Sequence, residues 1–368
     1  MPGSPAQARF EVGLPPVEPF LDAETTAQGL ERWFPSHRRD LPWRRNRTPW
    51  RTLVSELMLQ QTQASRVAER FESFVGRFPD ARTMAAAGEN VVVAAWEGLG
   101  YYRRARLLYA AAVRICDVHD GEVPSSTEAL LALPGIGRYT AGSIASIAFD
   151  CRTPIVDGNV IRVVARLEAI DAAADDPALV KRCWETADAL VGAAKSPGVL
   201  NESLMELGAT VCTPRLPSCD RCPVQTWCAA FRSGRAASMP RPKSRPARRI
   251  VHLYPVVLRR DDRVLLRQRP LRGIWAGLWE LPSVESADPL EVPAIASGLG
   301  FKVDDLRQVE TFKRLLTHRE VHFHVYEAST RIRRGHWCDR VVSAELAMAK
   351  PMRSLVDRRV WASDWPGG

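Results

Sequence analysis

The sequence predicts a mainly α-helical protein with a smaller α+β domain at its C-terminal end, and three observations predict it. Up to about residue 230, apolar residues recur at helical spacing. Residues 235–249 lose that period and fill with arginine and proline, which marks a basic linker able to lie along a phosphate backbone. From residue 250 the pattern turns to alternating or β-branched runs at 250–258, 263–269 and 319–326, with a partly helical stretch at 284–300. A length of 368 residues suits two or three domains, and a 46% hydrophobic fraction supplies a sizeable core. The net charge of +9 fits a polyanionic partner or simply a solvated basic surface. No apolar run approaches the roughly 20 residues of a membrane span, and residues 1–19 lack the basic-then-apolar signal-peptide pattern. These absences set the expectation of a soluble, cytoplasmic chain without a membrane partner; nothing points to an obligate oligomer, so a monomer is expected.

In chain order, residues 1–22 have no usable period and read as a leader, and 25–34 as a helix. Trp43, within the basic segment 41–45, is either a core anchor or a surface for a nucleobase. Residues 52–78 carry two helical apolar sets, and Glu56 lies among the first, where a carboxylate must be solvated, paired or functional. Leu59, Gln60, Gln61 and Thr62 follow; the amides and the hydroxyl suit hydrogen bonding to base edges. After a break at Gly98 and Gly100 come Tyr101, Tyr102 and the arginines 103, 104 and 106. They read as a stacking surface with phosphate-seeking charge, or as the start of a basic amphipathic helix.

The stretch 133–159 combines a glycine turn (Gly135, Ile136, Gly137), a helix of small and apolar residues, and an isolated carboxylate, Asp157. Glycines allow left-handed angles and close approach of backbone N–H groups to an anion, and the helix adds its positive end. That suits a nucleic-acid phosphate. A plain turn between packed helices, with Asp157 as the N-cap of the next helix, is equally compatible. Further helices are expected at 181–191 and 200–211.

Of eight cysteines, Cys116, Cys151, Cys183 and Cys338 stand singly and read as reduced structural thiols. Cys212, Cys219, Cys222 and Cys228 are separated by six, two and five residues, with prolines between them. Four thiolates so spaced mark a metal site, and either zinc or a [4Fe-4S] cluster fits the spacing.

Taken together, 41–44, 55–62, 98–102, 133–142, 156–159, 201–202, 207–209 and the four-cysteine loop resemble the MutY-type adenine DNA glycosylases of the helix-hairpin-helix superfamily, relatives of endonuclease III. The resemblance covers almost all of 25–230. It implies a two-lobed helix-hairpin-helix glycosylase domain over 23–234, with an iron-sulfur loop holding a [4Fe-4S] cluster on Cys212, Cys219, Cys222 and Cys228. It implies further a linker at 235–249, a C-terminal α+β Nudix-like domain over 250–358, and a tail at 359–368. The implied partner is double-stranded DNA containing 8-oxoguanine:adenine mispairs, in a cytoplasmic, nucleoid-associated setting.

The resemblance also assigns roles. Glu56 corresponds to the general acid that protonates adenine, Asp157 to the carboxylate facing the sugar, and Tyr139 and Asn159 to the residues that position them. Trp43, Arg44 and Glu202 correspond to the adenine pocket; Leu59, Gln61, Thr62 and Tyr101 to positions that fill or probe the opened duplex. The chemistry matches the residue types. Protonated adenine leaves, the sugar becomes an oxocarbenium ion, and a carboxylate stabilises it. Tyr139 stands where the strand-cleaving relatives carry lysine, which implies a monofunctional enzyme. In the second domain, segment 273–282 resembles the Nudix fold, but the Mg²⁺-binding glutamate box is missing after Pro282, which implies recognition rather than hydrolysis. The family's Phe-Ser-His loop for 8-oxoguanine appears as Leu316, Thr317 and His318.

Overall fold

The computed structural model describes residues 22–243 and 247–361. In chain order, α1 (Ala23–His37), α2 (Pro49–Leu59), α3 (Ala64–Arg77), α4 (Ala81–Ala87), α5 (Glu89–Ala95), α6 (Arg103–Val118), α7 (Thr127–Leu131), α8 (Arg138–Phe149), α9 (Gly158–Leu167), α10 (Pro177–Ala193), α11 (Pro197–Thr210) and α12 (Ala229–Arg232) come first. They are followed by β1 (Arg249–Val257), β2 (Arg259–Arg260), β3 (Arg263–Gln268), β4 (Trp279–Glu280), β5 (Ser283–Ser286), α13 (Val292–Gly298), β6 (Asp304–Leu315), β7 (Arg319–Ser329), β8 (His336–Cys338), α14 (Arg340–Glu345) and α15 (Lys350–Val360). The chain divides into two compact units: the described residues up to Arg39 with Ala145–Lys243, and Asp40–Ile144 with the described residues after Lys243.

The first unit packs α1, α9, α10 and α11 around Leu30, Phe34, Val160, Val164, Leu190 and Leu204, all essentially buried. Each such side chain contributes roughly 1.5–3 kcal/mol by leaving water. α10 starts where the sequence supplies an acceptor: Asp176 Oδ1 takes Ala178 N at 2.8 Å ahead of Pro177, whose fixed φ suits a first helical turn. α11 approaches α9 so closely that a Cβ on Gly208 would lie 2.6 Å from that of Asn159.

The second unit holds α2–α7, the first turns of α8, and the sheets. One sheet has the order β5-β1-β7-β6, with β1 and β7 parallel and the outer pairs antiparallel. The other links β2, β3 and β4, with β8 also pairing β3. The helices and sheets of this unit touch through named contacts: Tyr102 OH donates to Met348 O at 2.9 Å, and Arg106 Nη1 to Ala276 O at 2.7 Å.

Three sequence boundaries move. The leader expected at 1–22 lies outside the described residues except for Asp22, whose Oδ1 caps α1 by accepting Glu24 N at 3.1 Å. The linker expected at 235–249 is shorter. Ala236 and Met239 are buried in the first unit's core, and Arg241 N bonds Ala172 O at 2.8 Å. A basic, proline-rich segment lacks helical period yet can still pack through single residues. The tail expected from 359 begins later, because α15 runs to a buried Val360; residues 362–368 lie outside the described residues.

Candidate active site

Thr48 starts α2 by accepting Arg51 N at 3.1 Å, with Pro49 in the first turn. The helix then buries nearly every side chain from Thr52 to Met58, and Glu56 is 6% exposed among Leu53, Leu57 and Met58. So Glu56 is not the solvent-facing glutamate that one helix face alone allows. The end of α2 is fixed by Arg104, itself buried. Its Nη1 donates to Leu57 O at 2.8 Å and Met58 O at 2.7 Å, and its Nη2 donates to Thr62 Oγ1 at 2.7 Å. Desolvation pulls Arg104 down to about 10, which leaves it charged at neutral pH.

Arg104 is therefore a staple rather than a phosphate seeker, and it was not singled out as such in the sequence because its neighbours Arg103 and Arg106 look alike. Thr62 spends its hydroxyl in the same network, and Gln60 Nε2 donates to Thr140 Oγ1 at 3.2 Å, tying α2 to the first turn of α8. Gln61 stands apart, exposed at φ 54° on the tip of the loop, with half-buried Leu59 behind it.

The turn before α8 behaves differently at its two glycines. Gly135 has φ 80°, and a Cβ there would meet that of Leu107 at 2.8 Å. Gly137 is not left-handed; its missing Cβ faces open space, with nothing within 4 Å. Ile136, 6% exposed, anchors the turn, and the exposed glycines present backbone ahead of the 12-residue helix α8. Tyr139 is half-buried in its first turn.

In the first unit Asp157 caps α9. Its Oδ1 accepts Asn159 N at 2.8 Å and Val160 N at 2.7 Å, and its Oδ2 accepts Asn159 Nδ2 at 2.9 Å. Asn159 Oδ1 accepts Arg162 Nη2 at 2.8 Å, and Arg162 also donates to Gly208 O and Cys212 O, both at 2.7 Å. The N-cap reading of Asp157 therefore holds, and both of its carboxylate oxygens already accept hydrogen bonds. Burial pushes Asp157 upward from the usual carboxylate range, against the pull of the α9 amides, Asn159 and Arg162. Glu202 is buried on α11 at 5% exposure. Beside it Asn201 Nδ2 donates to Ser146 Oγ at 2.8 Å and Thr153 O at 2.9 Å, bracing the loop that leads to Asp157.

Two distant sequence segments meet in the second unit. Tyr101, exposed at φ 46°, shares a hydrogen bond between its hydroxyl and Thr317 Oγ1. His318, beside it, is exposed, and its carbonyl accepts Arg249 N at 3.2 Å. Tyr102, by contrast, is buried and belongs to the framework. Trp43 and Arg44 sit half-buried in a 3₁₀ turn, with the Trp43 ring edge-on to Phe71 at 5.9 Å.

Cys212, Cys219, Cys222 and Cys228 line one pocket with Arg166 and Gln225. Arg166 Nη1 donates to Cys212 Sγ at 3.2 Å and to Thr213 O at 2.8 Å. Burial, then the neighbouring cysteines, pushes the Cys219, Cys222 and Cys228 thiols upward, Cys222 to about 12. A bound cation would reverse that order. Four soft sulfur donors in one pocket fit a metal–thiolate group, although among the described residues no three histidine, cysteine or carboxylate side chains close around a single-ion site. In the Nudix-like domain, Glu280 is buried and paired with Arg269 at 2.6 Å and Arg267 at 3.3 Å, and Glu285 also pairs with Arg269, so both carboxylates are already engaged by guanidiniums.

Residues 54–188 match the HhH-GPD superfamily of base excision DNA repair proteins, and 253–358 match the NUDIX domain. The adenine DNA glycosylase of Mycobacterium tuberculosis is 44% identical over 206 residues, 56% of this chain and 67% of that one. The chain belongs to the adenine DNA glycosylase family. The family's members from Rattus norvegicus and Homo sapiens are 36% and 35% identical over 340 and 364 residues, and cover 77% and 81% of this chain. The chain spans 66% of each of those two relatives. Among solved structures, a thermostable thymine-DNA glycosylase matches with a TM-score of 0.52 at 26% identity, covering 57% of this chain and 97% of its own. The helix-hairpin-helix domain and the NUDIX-like domain with its mixed sheet are the fold that the resemblance implies.

Proposed function

We propose that the protein is a monofunctional DNA glycosylase that removes adenine mispaired with 8-oxoguanine, and with guanine, in base excision repair. The observation that carries this reading is Glu56, a carboxylate held 6% exposed in an apolar helix within the segment that matches the repair family. In this reading adenine swings out of the duplex, at a cost of a few kcal/mol that a mispair lowers. Glu56 donates its proton to N7, the glycosidic electron pair leaves with the base, and Asp157 stabilises the sugar cation until water adds to C1′. Trp43, Arg44 and Glu202 are assigned to recognition of the adenine, Tyr139 and Asn159 to orienting the reacting groups, and the 135–137 turn to a phosphate. Gln61, Leu59 and Tyr101 occupy the opened duplex, with Thr62 holding their loop. Tyr139 offers no amine to the sugar, so the product is an intact abasic site.

The test is adenine release from an 8-oxoguanine:adenine duplex, with Thr317→Ala/His318→Ala compared for 8-oxoguanine against guanine. The double variant is expected to lose about tenfold in that preference, the scale of one or two lost hydrogen bonds. Unchanged preference would refute the assignment of Thr317 and His318, and efficient borohydride trapping of the wild type on DNA would refute the monofunctional assignment.

The four cysteines are proposed to hold a [4Fe-4S] cluster, which when bound cross-links the 212–228 loop. Cys222→Ser is expected to lose bound iron and sulfide and to melt several degrees lower. Zinc in place of iron in the purified wild type would overturn the cluster. The proposed setting is the cytoplasm, on nucleoid DNA, as a monomer.

A further inference from the structure

The face of the β5-β1-β7-β6 sheet that carries His252 and Tyr254 holds a continuous stack that the reaction leaves unused. The parallel register of β1 and β7 sets His252 beside His322, and β6 places Lys313 opposite His322 and Thr311 opposite His324. His252 Nδ1 and His324 Nε2 are 3.0 Å apart, their rings stacked at 5.3 Å. The Tyr254 ring stacks on His324 at 4.8 Å, and His322 meets His252 edge-on at 5.0 Å. His322 Nε2 then reaches Glu320 Oε1 at 2.7 Å, and Glu320 lies 3.4 Å from Lys313 Nζ. One end of this column is anchored in the core, where Tyr254 OH accepts Leu290 N at 2.7 Å. The other end enters the β6–β7 hairpin three residues from Thr317, where Leu316 N closes the turn on Arg319 O at 2.8 Å.

A hydrogen bond between two imidazoles needs one nitrogen to donate and the other to accept. Protonation of both rings leaves no acceptor between them and sets two like charges about 3 Å apart, beside His322 and Lys313. The carboxylates near the column are Glu320, already shared by His322 and Lys313, and Asp288 after β5; Glu291 lies toward Tyr326 at the far end.

We propose that the His252–His324–His322 column is a specificity-determining positioning device. It holds the hairpin so that Thr317 meets Tyr101 only while the His252–His324 hydrogen bond is intact, and acidification therefore erodes discrimination of the base opposite adenine while base removal persists. The inference rests on the role proposed above for Thr317. Burial first, and the neighbouring imidazoles second, hold His252 and His324 below the ordinary histidine value. A lowered histidine stabilises the fold in its neutral form. The contribution is complete above about pH 6.5 and is lost as the pH falls through the lower folded values.

The experiment compares single-turnover adenine release from 8-oxoguanine:adenine and guanine:adenine duplexes between pH 5.5 and 7.5. The ratio cancels the pH dependence common to both substrates. Wild type, His252→Phe and His324→Gln are compared. The wild-type ratio is expected to fall about fivefold toward pH 5.5, the effect of about one net hydrogen bond, and to change less than twofold in either variant. NMR of the wild-type ring resonances should show His252 and His324 titrating as a coupled pair, a readout that requires no variant to fold. A flat wild-type ratio, a variant with the wild-type slope, or independent titration of the two rings would overturn the inference. A wild type that releases adenine with no preference for 8-oxoguanine at any pH would instead overturn the function proposed for Thr317.

Discussion

Glu56→Gln is expected to lower the rate of adenine release by about a thousandfold, within the 10²–10⁴ range of a positioned general acid, while leaving duplex affinity within about twofold. Glutamine has the shape of glutamate, and the backbone bond from Gln60 N to Glu56 O at 3.3 Å does not depend on the side chain. Helix propensity hardly changes, and the buried neighbours Leu53, Leu57 and Met58 meet the same volume. The amide cannot deliver a proton to N7. The loss should therefore fall on the single-turnover rate and not on the dissociation constant, the pattern of an interaction made only in the transition state. A variant that retains more than a tenth of the wild-type rate would remove Glu56 from the chemistry.

The sequence made the helices and the four-cysteine pocket legible because each depends on local spacing: apolar residues three and four apart, acceptors before first turns, thiols around prolines. It also marked Glu56 and Asp157, whose isolation among apolar neighbours is itself the signal. What it could not separate were residues of one type with opposite fates. Tyr101 and Tyr102 are adjacent and chemically equal, yet one is exposed and the other bonded to Met348 O. Arg103 stays exposed while Arg104 is buried, because helical geometry turns only one of them toward the end of α2.

Strand β6 is not legible in the sequence because all of its residues are exposed or half-buried, so alternation has no apolar phase; β7 pairing and ion pairs from Glu310 to Arg358 and Arg359 hold it instead. The histidine column was invisible for a related reason, since it forms only once the register of β1 against β7 is known.

Asp157→Asn is expected to reduce adenine release by a similar thousandfold, but without loss of stability near neutral pH. Asparagine ranks with aspartate as an N-cap, and its Oδ1 can keep the bonds from Asn159 N and Val160 N. What it forgoes is the acceptor for Asn159 Nδ2, because Asn159 Oδ1 is held by Arg162. Against that loss stands the cost of a buried charge. Burial raises the folded Asp157 above its unfolded value, so its stabilising contribution is complete below about pH 3.9 and is lost as the pH rises through the folded value. At neutral pH the ionised carboxylate therefore opposes folding, and the amide relieves it.

Thermal melts at pH 7.5 and pH 4 separate these contributions. At pH 7.5 the variant should melt no lower than the wild type, and at pH 4 its relative standing should fall. A catalytic group held at the expense of stability gives this signature, whereas a purely structural cap would lose stability together with activity. A variant that melts well below the wild type at pH 7.5 would place Asp157 with the ordinary caps, and the sugar cation would need another partner.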